Sequence, residues 1–345
     1  MTKATPKAIQ PFSWPTTAAF VDDSAAFLSN LSLQLDPELA FRLFSSPAEA
    51  LKFLNGRAAQ DQPASPIFSP YLDRTEENDA HQVIAMRVDA IRSLVHRPER
   101  FESVSVVVVD YDMPELNGIE FCRRLTNPAL KKIVLTGKAD EHVAVKSFNE
   151  GLIDRFIRKH EVDAVETLNQ AIRDMQAAYF NKACGTVLDA LAVSEYAFLK
   201  DGALAAHVQG IFDSLGIVEH YLSYQPHGLL MFDAQGTPSL LILHTEQSLR
   251  GVHEIAVEQN APASFLAELD SQRSVPYFWR TEGYYPAQCE QWQPYMHPAS
   301  VFEGERRYIY AVVKNPAGLA LENVLPYEAW LQHLDREIQA AWDSR

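Results

Sequence analysis

Apolar runs and polar breaks alternate along the first half of the chain. Four successive valines, Val106 to Val109, form a wholly apolar, β-branched stretch that ends at Asp110. Such a run predicts a strand buried on both faces, as in a parallel sheet. Shorter runs of the same kind stand at Ala18–Val21, Ala40–Phe44, Lys132–Leu135 and Arg155–Arg158. Between them the spacing turns helical. Ser24 caps a helix through about Gln34 with Phe27, Leu31 and Leu35 on one side. Ser46-Pro47 opens a second helix that stops at Asn55-Gly56. Further helices follow at Gly118–Leu125 and at Asp140–Glu150, closed by Gly151. Strands and helices in this alternation predict a doubly wound, five-stranded parallel sheet of the α/β class.

Residues 56–102 interrupt the alternation. Their first part, rich in Pro, Ser, Gln and Asp, is a loop signal. From Asp79, residues Ile84, Val88, Ile91 and Val95 recur at helical spacing up to Pro98, which predicts an inserted helix covering the sheet edge or its neighbour. A long helix begins at Val162. Its residues Val165, Leu168, Ile172, Met175 and Tyr179 step by three and four, the spacing of an a/d seam. Part of that stripe must cover the sheet; Lys182 breaks it, Val187, Leu188 and Leu191 continue on a drifted face, and this extra length past Tyr179 is either a homodimer seam or a rigid link to the output domain. The second half is mixed. Gly202–Leu215 reads as a helix, 228–233 and 239–243 as a hairpin, Glu246–Gln259 and Pro262–Leu269 as helices, Arg307–Val313 as a strand and Pro326–Trp342 as a closing amphipathic helix. The linear division is an extension over 1–17, an α/β domain over 18–161 with its insertion, a connecting helix over 162–193 and an α+β domain over 194–345.

Composition narrows the function classes. An apolar share of 47% with 22% charged residues is ordinary for a globular chain of 345 residues. There is no apolar run of membrane-spanning length and no secretory leader, and Cys122, Cys184 and Cys289 form neither a metal spacing nor a disulfide framework. A cytoplasmic location is expected. Residues 181–345 carry 10 Lys and Arg against 20 Asp and Glu. That balance argues against nucleic acid as a partner, because phosphate binding relies on basic side chains. Zinc-protease, esterase and P-loop motifs are absent. Seven of the eleven histidines lie after residue 194 without ligand spacing. The aromatic cluster Tyr277, Phe278, Trp279, Tyr284, Tyr285, Trp292 and Tyr295 either packs an irregular loop region or stacks a planar ligand.

The chemistry collects at strand ends, where open α/β sheets place their ligands. Asp22 and Asp23 end the first strand, Asp110 the third, Thr136 the fourth and Lys159 the fifth. Carboxylates that converge repel one another, and a hard divalent cation such as Mg²⁺ relieves the repulsion. Asp110 is then placed as a nucleophile toward a phosphoryl group, with Lys159 and Thr136 meeting its oxygens.

This set resembles the receiver domain of two-component response regulators. The matches are Val21-Asp22-Asp23, Val109-Asp110 with Met113-Pro114 and Asn117-Gly118, Leu135-Thr136-Gly137, and Phe156 three residues before Lys159. The resemblance implies a flavodoxin-like fold and phosphorylation of Asp110 by a histidine kinase. It also implies Mg²⁺ held by Asp22, Asp23, Asp110 and the Asp112 carbonyl, and a switch pair of Thr136 and Phe156. The layout is similar to the response regulators of the Lqs quorum-sensing system, whose output domain is likened to nucleotide-binding folds. A non-DNA-binding output that works by dimerisation and by binding of a protein or small ligand such as a nucleotide, in cell-density signalling, is therefore expected. The dimer is expected through the helix at 140–150, the strand at 155–158 and the helix from Val162. An output enzyme acting on a nucleotide and a direct transcription regulator are the alternatives. His160 departs from the family, which has proline after the lysine. A cis bond before a non-proline residue costs about 2.5–4 kcal/mol, so a trans bond and a reshaped loop are expected, with Lys159 the least fixed member. Asp112 and Lys138 flank the route of an attacking water, and an ion pair between them would shield the phosphoryl group.

Overall fold

The structure is a computed structural model that describes residues 6–57, 67–71, 83–137, 141–281, 283–287 and 289–343. The chain forms two compact units. One comprises Trp14–Ser65, Pro98–Gly185 and Tyr327–Arg345, the other Met1–Ser13, Pro66–Arg97 and Thr186–Pro326.

The first unit holds the five-stranded parallel sheet. Its spatial order is Phe41–Phe44, Thr17–Val21, Val104–Asp110, Lys131–Thr136 and Arg155–Arg158. Alternate valines of the central strand serve two cores. Val107 and Val109 enter one with Phe121, Cys122 and Val134, while Val106 and Val108 enter the other with Phe20, Ile133 and Ile172. Burial on both faces explains the unbroken apolar run. The long helix, Ala164–Leu191, spends its stripe inside the chain. Val165, Leu168, Ile172 and Met175 pack on the sheet, and Tyr179 and Phe180 are buried. Phe180 meets the Trp14 ring edge-on at 5.2 Å. From Val165 to Phe180 this stripe is a core face.

The closing helix, Tyr327–Asp343, belongs to this same unit and not to the domain that precedes it in sequence. The Tyr327 hydroxyl donates to the Glu38 carbonyl at 2.7 Å and accepts from the Ala40 amide at 3.0 Å. Arg42 pairs with Glu337 at 3.0 Å. The physical reason is the edge strand Phe41–Phe44, whose free side an amphipathic helix can cover.

The second unit is built on a six-stranded antiparallel sheet. Its order is Phe12–Ser13, Ile217–Tyr224, His227–Asp233, Pro238–Thr245, Arg307–Lys314 and Ser300–Glu303. The expected hairpin is its centre. Residues Pro66–Arg97 of the insertion also join this unit, which differs from the linear division. Asp79 lies outside the described residues. Val83–Met86 is a strand paired with Phe68–Tyr71, and among the described residues of the insertion Val88–Ser93 is α-helical, with a 3₁₀ turn at Leu94–His96. That helix packs against Ile217–Tyr224 instead of the parallel sheet. The aromatic segment forms a small core of its own, with Phe278, Tyr285 and Trp292 buried around Phe265. Phe278 stacks on Tyr295 with ring centres 4.8 Å apart, while Tyr284 is exposed.

Candidate functional site

The site lies where the parallel strands end. Hydrogen bonds of the sheet fix each strand end: Asp22 N–H donates to the Phe44 carbonyl, Tyr111 N–H to Leu135 and Lys159 N–H to Thr136, all within 2.9–3.1 Å. After Asp110 the chain turns sharply. The Gly118 N–H returns to the Tyr111 carbonyl at 2.9 Å, and a side chain at 118 would collide with the Asp110 carbonyl. Glycine is required here by close approach, and Asn117 caps the following helix by accepting from the Glu120 amide at 2.8 Å.

Lys159 reaches the centre. Its Nζ lies 2.7 Å from Asp22 Oδ2 and 2.9 Å from Asp110 Oδ2. The Lys159–His160 peptide bond is trans, as expected from the missing proline. The lysine nevertheless stands in the middle of the constellation, because its backbone is held by Thr136 and its ammonium by two carboxylates.

Asp22 and Asp110 are buried, whereas Asp23 is exposed. Burial raises the Asp110 pKa above the usual carboxylate range. The Lys159 ammonium opposes that rise, the Asp22 charge adds to it, and the Asp112 amide donates to the carboxylate. For Lys159, burial acts downward, but hydrogen bonds and attraction from Asp110 and Asp22 outweigh it and the pKa is raised. The Thr136 hydroxyl is fully buried and finds no hydrogen-bond partner among the described residues. Such a group costs stability unless something meets it.

One oxygen from each of Asp22, Asp23 and Asp110 can be chosen so that all three lie within 4.8 Å of one another. This is the one such ligand group among the described residues. Three hard oxygens with room for water fit a small divalent cation. Phe156 is half-buried against the core that contains Val109 and Val134. Asp112 is exposed, and Lys138 lies outside the described residues. Phe27 is a member of the site that helical spacing alone reads as core. Its ring sits 4.3 Å from the Lys159 Nζ. The available signal was position: side chains in a first helical turn tilt toward the helix N-terminus, and here that end carries Asp22 and Asp23.

A parallel sheet of this order, with acidic groups, a threonine and a lysine at its strand ends, defines a receiver domain. The family model of the response regulator receiver domain matches residues 72–173. The structure of the Legionella pneumophila response regulator LqsR is 34% identical, with a TM-score of 0.77, and the match covers 96% of this chain and 98% of that one. A receiver domain protein from Clostridium thermocellum is 19% identical over 50% of this chain and 95% of its own, with a TM-score of 0.30. One from Methanospirillum hungatei is 18% identical over 49% and 98%, with a TM-score of 0.31. No curated protein matches. The chain belongs to the response regulator family represented by LqsR.

Proposed function

We propose that Asp110 is the phosphoacceptor of a phosphorelay and that a histidine kinase is its donor. The observation that carries this is the convergence at one sheet edge of Asp110, the Lys159 ammonium at 2.9 Å and the unpartnered Thr136 hydroxyl. An Asp110 carboxylate oxygen attacks phosphorus, the bond from phosphorus to the donor breaks, and an acyl phosphate forms. Lys159 meets the growing charge on the phosphoryl oxygens, and Thr136 donates to one of them. Mg²⁺ bound by Asp22, Asp23, Asp110 and the Asp112 carbonyl would supply further positive charge there. Phe156, three residues before Lys159, is the partner that reports the Thr136 movement.

The output half is read as a non-DNA-binding module that acts through dimerisation and protein or small-ligand contacts in cell-density signalling. Its acidic balance supports this. No helix among the described residues is long and apolar enough to cross a membrane, which accords with a cytoplasmic place of action. The dimer uses the helix Glu141–Asn149, the strand Arg155–Arg158 and the helix from Val162, and the exposed Val145 and Phe148 on the first of these give a second copy apolar surface to meet.

The test is phosphate uptake by the intact chain. Incubation with acetyl phosphate and Mg²⁺ is expected to add one phosphoryl group, and omission of Mg²⁺ to prevent it. Light scattering with beryllofluoride and Mg²⁺ then reads the dimer. Uptake that is indifferent to Mg²⁺ would contradict the metal assignment, and an unchanged mass in scattering would contradict the phosphate-controlled dimer.

A further inference from the structure

Lysine is a flexible point charge on a long stem, and the loop after Lys159 lacks the proline that stiffens it in the family it resembles. Something else must fix the ammonium. Two of its neighbours are the Asp22 and Asp110 carboxylates, at 2.7 and 2.9 Å. The third is the face of Phe27, at 4.3 Å from the ring centre. An aromatic face carries negative quadrupole density and attracts a cation within about 6 Å. The ring itself is held firmly. Phe27 lies in the first turn of the helix Ala25–Ser32, and its amide donates to the Ser24 side chain at 3.2 Å. Its neighbours Leu28 and Leu31 are buried, and its own side chain packs on the same core.

We infer that Phe27 is a positioning residue for Lys159, an aromatic seat on which the ammonium pivots from Asp22 toward phosphoryl oxygens on Asp110. The chemistry explains why a ring suits this place better than a third carboxylate. A carboxylate would hold the lysine by directed hydrogen bonds and add to the repulsion between Asp22, Asp23 and Asp110. A ring face attracts the cation without claiming an N–H in one direction. When the Asp22 carboxylate turns to a divalent cation, Lys159 loses its shortest partner yet keeps the ring. The pivot rests on the reading of Asp110 as phosphoacceptor, whereas the seat itself does not.

The test compares the full chain with its Phe27→Leu and Phe27→Tyr variants. Leucine keeps apolar packing and removes the π face, while tyrosine keeps the face. In the unphosphorylated protein, the ε-methylene NMR signal of Lys159, assigned with Lys159→Arg, is expected upfield from ring current in wild type and Phe27→Tyr. It is expected to lose that shift in Phe27→Leu. At saturating Mg²⁺, uptake from acetyl phosphate is expected to slow about 2- to 30-fold in Phe27→Leu, the range a cation–π contact spans. Phe27→Tyr should stay near wild type, and Mg²⁺ affinity should be unchanged. A Lys159 signal indifferent to Phe27→Leu overturns the seat. Equal slowing in both variants overturns it too, since that marks packing. A shift that behaves as expected, with no phosphate uptake even in wild type, supports the seat and removes the phosphoacceptor reading. Normal uptake by Phe27→Leu overturns the pivot.

Discussion

Replacing Lys159 by Met should make the chain depend on Mg²⁺ for its stability. Lys159 Nζ lies within 2.9 Å of both Asp22 and Asp110, and its side chain is only 18% exposed. Removing one partner of a fully buried pair costs about 3–5 kcal/mol, and of an exposed one about 0–1 kcal/mol. The half-sheltered setting and the readiness of Asp110 to take up a proton place the loss at about 2–3 kcal/mol. For a unit of this size that is a fall of roughly 5–10 °C in Tm. A divalent cation supplies the missing charge, and at a hundredfold excess over its Kd it contributes about 2.7 kcal/mol. Urea or thermal unfolding across a Mg²⁺ titration is the assay. Lys159→Met should show the larger dependence on Mg²⁺, tighter binding of the ion and near-recovery at saturation. An equal deficit at zero and saturating Mg²⁺ would refute the reasoning, because the ammonium would then not be standing in for a cation between these carboxylates.

Three further outcomes follow from the same structure. Thr136→Val removes a buried hydroxyl that has no partner, so the unphosphorylated protein should gain about 1 kcal/mol while phosphate uptake slows; a loss of stability in denaturant titration would show that the hydroxyl is already satisfied. Tyr327→Phe leaves the Ala40 amide and Glu38 carbonyl without their partner, at a cost of about 1–3 kcal/mol, and hydrogen exchange should quicken at Ala40 and along Tyr327–Asp343; unchanged protection would contradict the anchoring. Burial pushes His220 and His244 down from 6.5 to about 4, opposed at His220 by the Gln10 carbonyl and reinforced at His244 by His227. Both are neutral when folded and take up protons on unfolding, so their contribution is complete above the unfolded pKa and is lost as pH falls from 6.5 toward about 4. The slope is about 1.4 kcal/mol per pH unit for each ring. Urea midpoints between pH 7 and pH 5 should drop less in His220→Gln/His244→Gln, and an identical drop would contradict the assignment.

The parallel sheet was legible because its strands are apolar on both faces and its helices carry clear caps at Ser24 and Asn117. Asp110, Lys159 and Thr136 were legible because strand ends are where such sheets place chemistry. The strand Ile217–Tyr224 was not. It buries Glu219 and His220, whose polar atoms are met by the Tyr221 hydroxyl at 2.7 Å and the Gln10 carbonyl at 2.9 Å, and buried polar groups hide the alternation on which strand reading depends. The allegiance of the insertion and of the last helix was equally hidden. An amphipathic face states that it will be covered and does not state by what. Val83–Met86 was absorbed into a helical pattern because four residues are too few to separate a period of two from one of 3.6. Phe27 was read as core, and it is core on one side; its second role appears only once Lys159 is seen above its ring.

The central claim is that Asp110 receives the phosphoryl group. Its most direct test is borohydride trapping of the acyl phosphate after phosphotransfer, followed by peptide mapping. The account predicts one reduced aspartate, at Asp110, and none in Asp110→Asn. A reduced residue at Asp22 or Asp23, or no trapped residue while phosphate is taken up elsewhere in the chain, would contradict it.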